Sequence, residues 1–121
     1  MAKDETTIEI YRGDTAKFHF HREDANGAVI TTQADSLFFT VKEKGKEYET
    51  PYAFQKSGED FSMDGNGEYH FTIEPEDTDG MDFRKLYTYD LEIIADDVKT
   101  TIASGLFVLK TEVTHAANEG E

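Results

Sequence analysis

Apolar and polar residues alternate along much of the chain. In AKFHFHR, Ala16, Phe18 and Phe20 fall on one side of an extended backbone, and Lys17, His19 and His21 fall on the other. SLFFTVK sets Leu37, Phe39 and Val41 against Phe38, Thr40 and Lys42. EYHFTIE sets Tyr69, Phe71 and Ile73 against Glu68, His70, Thr72 and Glu74. LYTYDLEII sets Tyr87, Tyr89, Leu91 and Ile93 against Thr88, Asp90 and Glu92. A period of two is that of a strand whose side chains point alternately to opposite faces, so each segment predicts a half-buried β-strand. TTIEIY and TPYAFQ are weaker strand candidates.

Turn residues separate these runs at Gly13-Asp14, Asn26-Gly27, Lys44-Gly45, Gly65-Asn66-Gly67 and Asp96-Asp97. In VKTTIASGLFVLKTEV, Thr100, Ile102 and Ser104 share one parity while Phe107, Leu109 and Val113 share the other. A glycine at the change, Gly105, predicts a β-bulge. EPEDTDGMDF departs from alternation. Pro75 ahead of acidic residues predicts one short helical turn, ended by Asp79-Gly80, that crosses between sheets. Tyr87 just after it is placed like the tyrosine corner of immunoglobulin-like sandwiches. The whole predicts an all-β, immunoglobulin-like β-sandwich of about 7–8 antiparallel strands with one short helical turn. A partly closed barrel is the alternative. The expected organisation is a flexible N-terminus over residues 1–5, the sandwich over 6–113, and a flexible acidic tail over 114–121.

Twelve Lys and Arg against 26 Asp and Glu give the 121 residues a net charge of −14. Such a surface repels phosphate backbones and anionic lipid, so neither nucleic acid nor membrane is an expected partner. No apolar run approaches the roughly 20 residues of a membrane span, and the polar start has no signal-peptide pattern. With no cysteine, disulfides and thiolate chemistry are excluded, which suits a reducing compartment.

Arg12-Gly13-Asp14 is the tripeptide that integrins grip in many extracellular proteins. Between two strand candidates, it reads more simply as a turn: Gly13 supplies a positive φ and Asp14 a side chain that closes the turn. His19 and His21 share a strand face and would bind a metal if a neighbouring strand, such as that of His70, added a ligand in register. A solvated polar face is the simpler reading. DGNGE lacks the later ligands of a calcium loop and reads as a hairpin. Neither a nucleophile elbow nor a metalloprotease motif, phosphate-binding loop or dinucleotide fingerprint occurs. No catalytic, cofactor or metal residue is therefore expected. Without tryptophan, a sugar-stacking platform would rest on Tyr11, Tyr48, Tyr52 or Phe38.

IEIYRGDTAKFHFHREDANGAVITTQADSLFFTVK, together with FTIEPEDTDGM, YTYDLEI and TTIASGLFVLKTEVT, resembles small virion proteins of phages and prophages of Gram-positive bacteria. It is similar to the immunoglobulin-like N-terminal domains of phage baseplate upper proteins. The resemblance spans roughly residues 6–114. It implies a non-enzymatic building block of a tail, baseplate, neck or head decoration, assembled in the host cytoplasm. Its partners would be other virion proteins and copies of itself. Baseplate upper proteins continue into a long C-terminal region that carries receptor-binding parts, whereas these 121 residues span one domain, as a stand-alone connector or decoration protein or a piece of a longer chain would. The alternative is a binding module for a host surface glycan or protein. Phe38, an aromatic on an otherwise polar strand face, is the candidate partner contact.

Overall fold

The computed structural model describes residues 4–49 and 51–111. Nine strands are described: β1 (Asp4–Glu5), β2 (Ile8–Tyr11), β3 (Ala16–Phe20), β4 (Ser36–Glu43), β5 (Phe54–Ser57), β6 (Ser62–Met63), β7 (Tyr69–Ile73), β8 (Tyr87–Ala95) and β9 (Val98–Lys110). A 3-10 turn, Gly58–Asp60, joins β5 to β6, and a one-turn helix, α1 (Pro75–Thr78), leads from β7 towards β8. One sheet runs β1-β9-β8-β4-β5, with β2 also on β9; the other runs β3-β7-β6. The molecule is an all-β sandwich.

Alternation decides the two faces of each strand. Leu37, Phe39 and Val41 of β4, Tyr69, Phe71 and Ile73 of β7, and Tyr87, Tyr89, Leu91 and Ile93 of β8 are all buried. The sheets meet through rings: Phe39 of the larger sheet lies 4.9 Å, centroid to centroid, from Phe71 of the smaller. Phe71 also packs on Phe18 at 5.4 Å and Phe61 at 5.1 Å. Aromatic pairs at such distances add to the hydrophobic stabilisation of burying their surface.

The connection through α1 and the β8–β9 hairpin follow local chemistry. Pro75 opens α1, where its missing N–H costs nothing. The Asp77 carboxylate accepts from the Glu74 backbone N–H at 2.7 Å, and Asp79 is the C-cap. The Tyr87 hydroxyl accepts from the Asp82 backbone N–H at 3.0 Å, fixing the corner that leads into β8. At the β8–β9 hairpin, Asp96 and Asp97 both have positive φ, 54° and 66°. A two-residue turn of that hand matches the twist of the strands it joins.

Three sequence expectations change. The strands are not all antiparallel: β1 and β2 run parallel to β9, from Asp4 opposite Ala103 to Tyr11 opposite Lys110. The first of these pairings also brings Asp4 and Glu5 into the sheet, ahead of the expected domain start at Thr6. The bulge lies earlier than Gly105. Leu91 faces Ala103 while Glu92 faces Thr101, which leaves Ile102 as the extra residue. Gly105 has a different task. A Cβ there would sit 2.3 Å from the Thr6 carbonyl oxygen, where β1 gives way to β2. That same oxygen accepts a 2.7 Å hydrogen bond from the Tyr89 hydroxyl. The expected tail, residues 114–121, and Val113 before it lie outside the described residues.

Candidate interaction surface

The larger sheet turns one side to the core and the other to solvent. On the solvent side, cross-strand register builds rows: Ser57, Phe38, Glu92 and Thr101, then Gln55, Thr40, Asp90 and Ser104, then Lys42, Thr88 and Leu106. Phe38 is half-buried within its row, one residue from the fully buried Phe39. Ile94, half-buried, lies one alternation along β8 from Glu92, so Phe38 and Ile94 are diagonal neighbours. Phe38 and Ile94, and Leu106 two rows away, thus interrupt a face otherwise rich in hydroxyls and carboxylates.

A groove of about 780 Å³ runs along this face, lined by Thr40, Gln55, Asp90, Glu92, Ser104 and Tyr52 among others. Its wall is the loop after β4. Lys42 Nζ donates to the carbonyls of Glu47, at 2.9 Å, and of Glu49. The Thr88 hydroxyl donates to the Glu47 carboxylate at 3.2 Å. Backbone N–H donors, its own and that of Gly45, hold the Glu47 carboxyl below the usual carboxylate range, helped by Thr88. Of the tyrosines considered for stacking, Tyr52 lines this groove, Tyr48 projects from the loop, and Tyr11 sits under Lys110 Nζ, 5.2 Å from its ring centroid. They do not form one platform.

The smaller sheet carries the histidines. β3 and β7 are adjacent and in register, with His19 opposite His70 and ring centroids 6.0 Å apart. Each described histidine faces a carboxylate: His19 and Glu68 at 2.7 Å, His21 and Glu23 at 2.8 Å, and His70 and Asp64 at 3.5 Å. Among the described residues, no group of three or more His, Asp or Glu is placed to hold a metal ion. The Asp64 carboxyl is held below the usual range by backbone N–H donors of Asn66 and Glu68, which also closes the DGNGE hairpin.

The hydrogen bond to Glu23 raises the His21 pKa, with smaller contributions from the charges of Glu23 and Glu68 against a desolvation effect that lowers it. A raised folded pKa means that the pair's contribution to stability is fully present below the unfolded value of about 6.5 and is lost as pH rises through the folded value. An NMR titration should place the His21 midpoint above that unfolded value, and Glu23→Gln should bring it down. A midpoint unmoved by Glu23→Gln would contradict the assignment.

Arg12-Gly13-Asp14 is a turn between the sheets. The Asp14 backbone N–H donates to the Tyr11 carbonyl at 3.0 Å, and Gly13 has a φ of 90°. The Gly13 N–H donates to Oγ1 of the fully buried Thr78 at 3.2 Å, which docks the turn on α1. Main chain therefore closes this turn, where sequence suggested the Asp14 side chain. Asp14→Ala keeps the bonding N–H, so its midpoint in urea should shift by less than about 0.5 kcal/mol equivalent. A loss above about 1 kcal/mol would reveal a side-chain bond.

The sequence matches no protein-family model and no curated protein.

Proposed function

We propose that this chain is a non-enzymatic structural protein of a bacteriophage particle, in the tail, baseplate, neck or head decoration. It works by packing against other virion proteins and copies of itself. One observation carries the reading: Phe38, with Ile94 beside it, stands as the aromatic on a solvent-side sheet face made largely of hydroxyl, carboxylate and amide side chains. An aromatic in such a place is well suited to anchor a partner, because a few aromatic side chains supply much of an interface's energy. The sequence resemblance to small virion proteins supports the same reading. So does the architecture, since a sandwich has strand edges that neighbours in an assembly can cover.

The test is Phe38→Ala. As Phe38 is only half-buried, the isolated domain should lose no more than about 1 kcal/mol. Self-association or docking, measured by sedimentation and by incorporation into particles, should weaken at least roughly ten-fold. A variant that unfolds would return Phe38 to the core. A wild-type protein that is monomeric at high concentration and absent from purified particles would overturn the reading.

A binding module for a surface glycan is the second reading. It is favoured by the groove on the same face, where Asp90, Glu92 and Gln55 offer polar partners and Tyr52 an exposed ring. Saturable binding to a glycan array, lost in Tyr52→Ala, would establish it.

A further inference from the structure

A second groove, of about 1010 Å³, opens where the two sheets part. Phe20 and Ile30 line it on one side, and Leu91, Ile93 and Ile102 on the other. β3 borders it, and β3 is an outer strand: among the described residues it pairs with β7 on one side only. The inward side chains of β3 record that missing neighbour. Phe18 and Phe20 remain half-buried, whereas Phe71 and Tyr69, their partners on β7, are buried. The outer strands β6, at the far edge of the same sheet, and β5, at an edge of the larger one, are less inviting. β6 has two residues, and an ion pair of 2.6 Å between Lys56 and Asp77 brings α1 against β5.

Charge narrows the occupant. Glu23, Glu68 and Asp96 stand at the rim. Of the basic groups there, His19 and His21 face Glu68 and Glu23, and the Arg22 guanidinium, turned to the Thr32 carbonyl at 2.6 Å, is among the described residues the one permanent cation against three carboxylates. A second copy would bring another net charge of −14 to this rim. A basic segment would bring the opposite sign.

We propose that β3 and this groove receive an extended, basic segment of a different protein, which adds a strand to the smaller sheet. Its backbone completes the open edge of β3, its alternate apolar side chains enter the groove, and its basic side chains meet Glu23, Glu68 and Asp96. Main-chain pairing then supplies affinity, and the groove supplies selectivity. Naming that protein as a virion component rests on the function proposed above; the strand-addition site itself does not.

The probe is a blocked heptapeptide of alternating lysine and valine, titrated into the isotopically labelled full chain and followed by NMR. Saturable amide shifts should centre on β3 and the groove. Binding should weaken roughly ten-fold or more when alternate peptide nitrogens are methylated, when glutamate replaces lysine, and in the Glu23→Gln/Glu68→Gln variant. Ile102→Glu should have the same effect, and the exposed-rim variant covers the case in which Ile102→Glu disturbs folding. No saturable shift at millimolar peptide, equal binding of the methylated peptide, or shifts spread over the whole acidic surface would each overturn the site. The outcome is separable from the virion reading. Presence in particles without peptide binding removes only the strand-addition site, whereas peptide binding by a chain absent from particles removes only the virion assignment.

Discussion

Gly105→Ala should be among the most damaging single substitutions in this chain, at about 3 kcal/mol. The added methyl would meet backbone, not a side chain able to swing aside. Its nearest neighbour is the Thr6 carbonyl oxygen at 2.3 Å, and the Thr6 carbonyl carbon and amide nitrogen lie at 3.0 and 3.1 Å. Relief requires the Thr6 segment to leave β9. That movement also strains the hydrogen bond from Tyr89 to the Thr6 carbonyl and the one from the Thr6 N–H to the Ser104 carbonyl. Urea unfolding measures the loss. Hydrogen exchange should locate it, with protection falling first in β1 and β2. A variant as stable as wild type would mean that the first strands pack less closely on β9 than described.

Phe39→Ala should cost about 3–5 kcal/mol, the range for emptying a buried phenylalanine site. Phe39 is 1% exposed, and its ring lies within 6.1 Å of three others: Phe54, Phe71 and Tyr89. Because Phe71 belongs to the opposite sheet, the cavity would weaken the contact between sheets as well as the packing within one. Set beside Phe38→Ala, this substitution gives an internal control. Adjacent phenylalanines on one strand should differ by several kcal/mol in stability, and only the outer one should affect assembly. Similar losses at both positions would show that the sheet's outer face is covered within the same domain.

The difference between those neighbours was legible from SLFFTVK alone, because a strand's period of two places Phe38 and Phe39 on opposite faces whatever the rest of the fold does. The helical turn at Pro75 and the hairpin at DGNGE were legible for similar reasons, since proline, aspartate and glycine act on the backbone within a few residues. The parallel placement of β2 beside β9 was not. It depends on contacts between Ile8 and Phe107 that no local pattern encodes. The place of the bulge was not legible either, because a glycine at a change of parity marks it by pattern while the extra residue in the structure is Ile102, three positions earlier. Register sets Thr100 and Ala103 opposite the buried Ile93 and Leu91, and such small residues leave little hydrophobic signal. Gly105 announced itself, but its reason lies about a hundred positions away in sequence, at Thr6. The groove beside β3 was equally hidden, since its two walls come from distant segments of the chain.

The parallel pairing has a mechanical meaning. Asp4 lies beside Ala103, near the middle of β9, and Tyr11 beside Lys110 at its end, so the two points of attachment are roughly 23 Å apart along the strand. Tension applied through Asp4 and Thr111 would slide β1 and β2 along β9 and load their hydrogen bonds together. A hairpin pulled at its two open ends instead parts one rung at a time. Forced rupture is governed by the unfolding rate, not by the equilibrium. A module of ordinary thermodynamic stability, strung between two anchors, would therefore resist pulling along this axis better than across it.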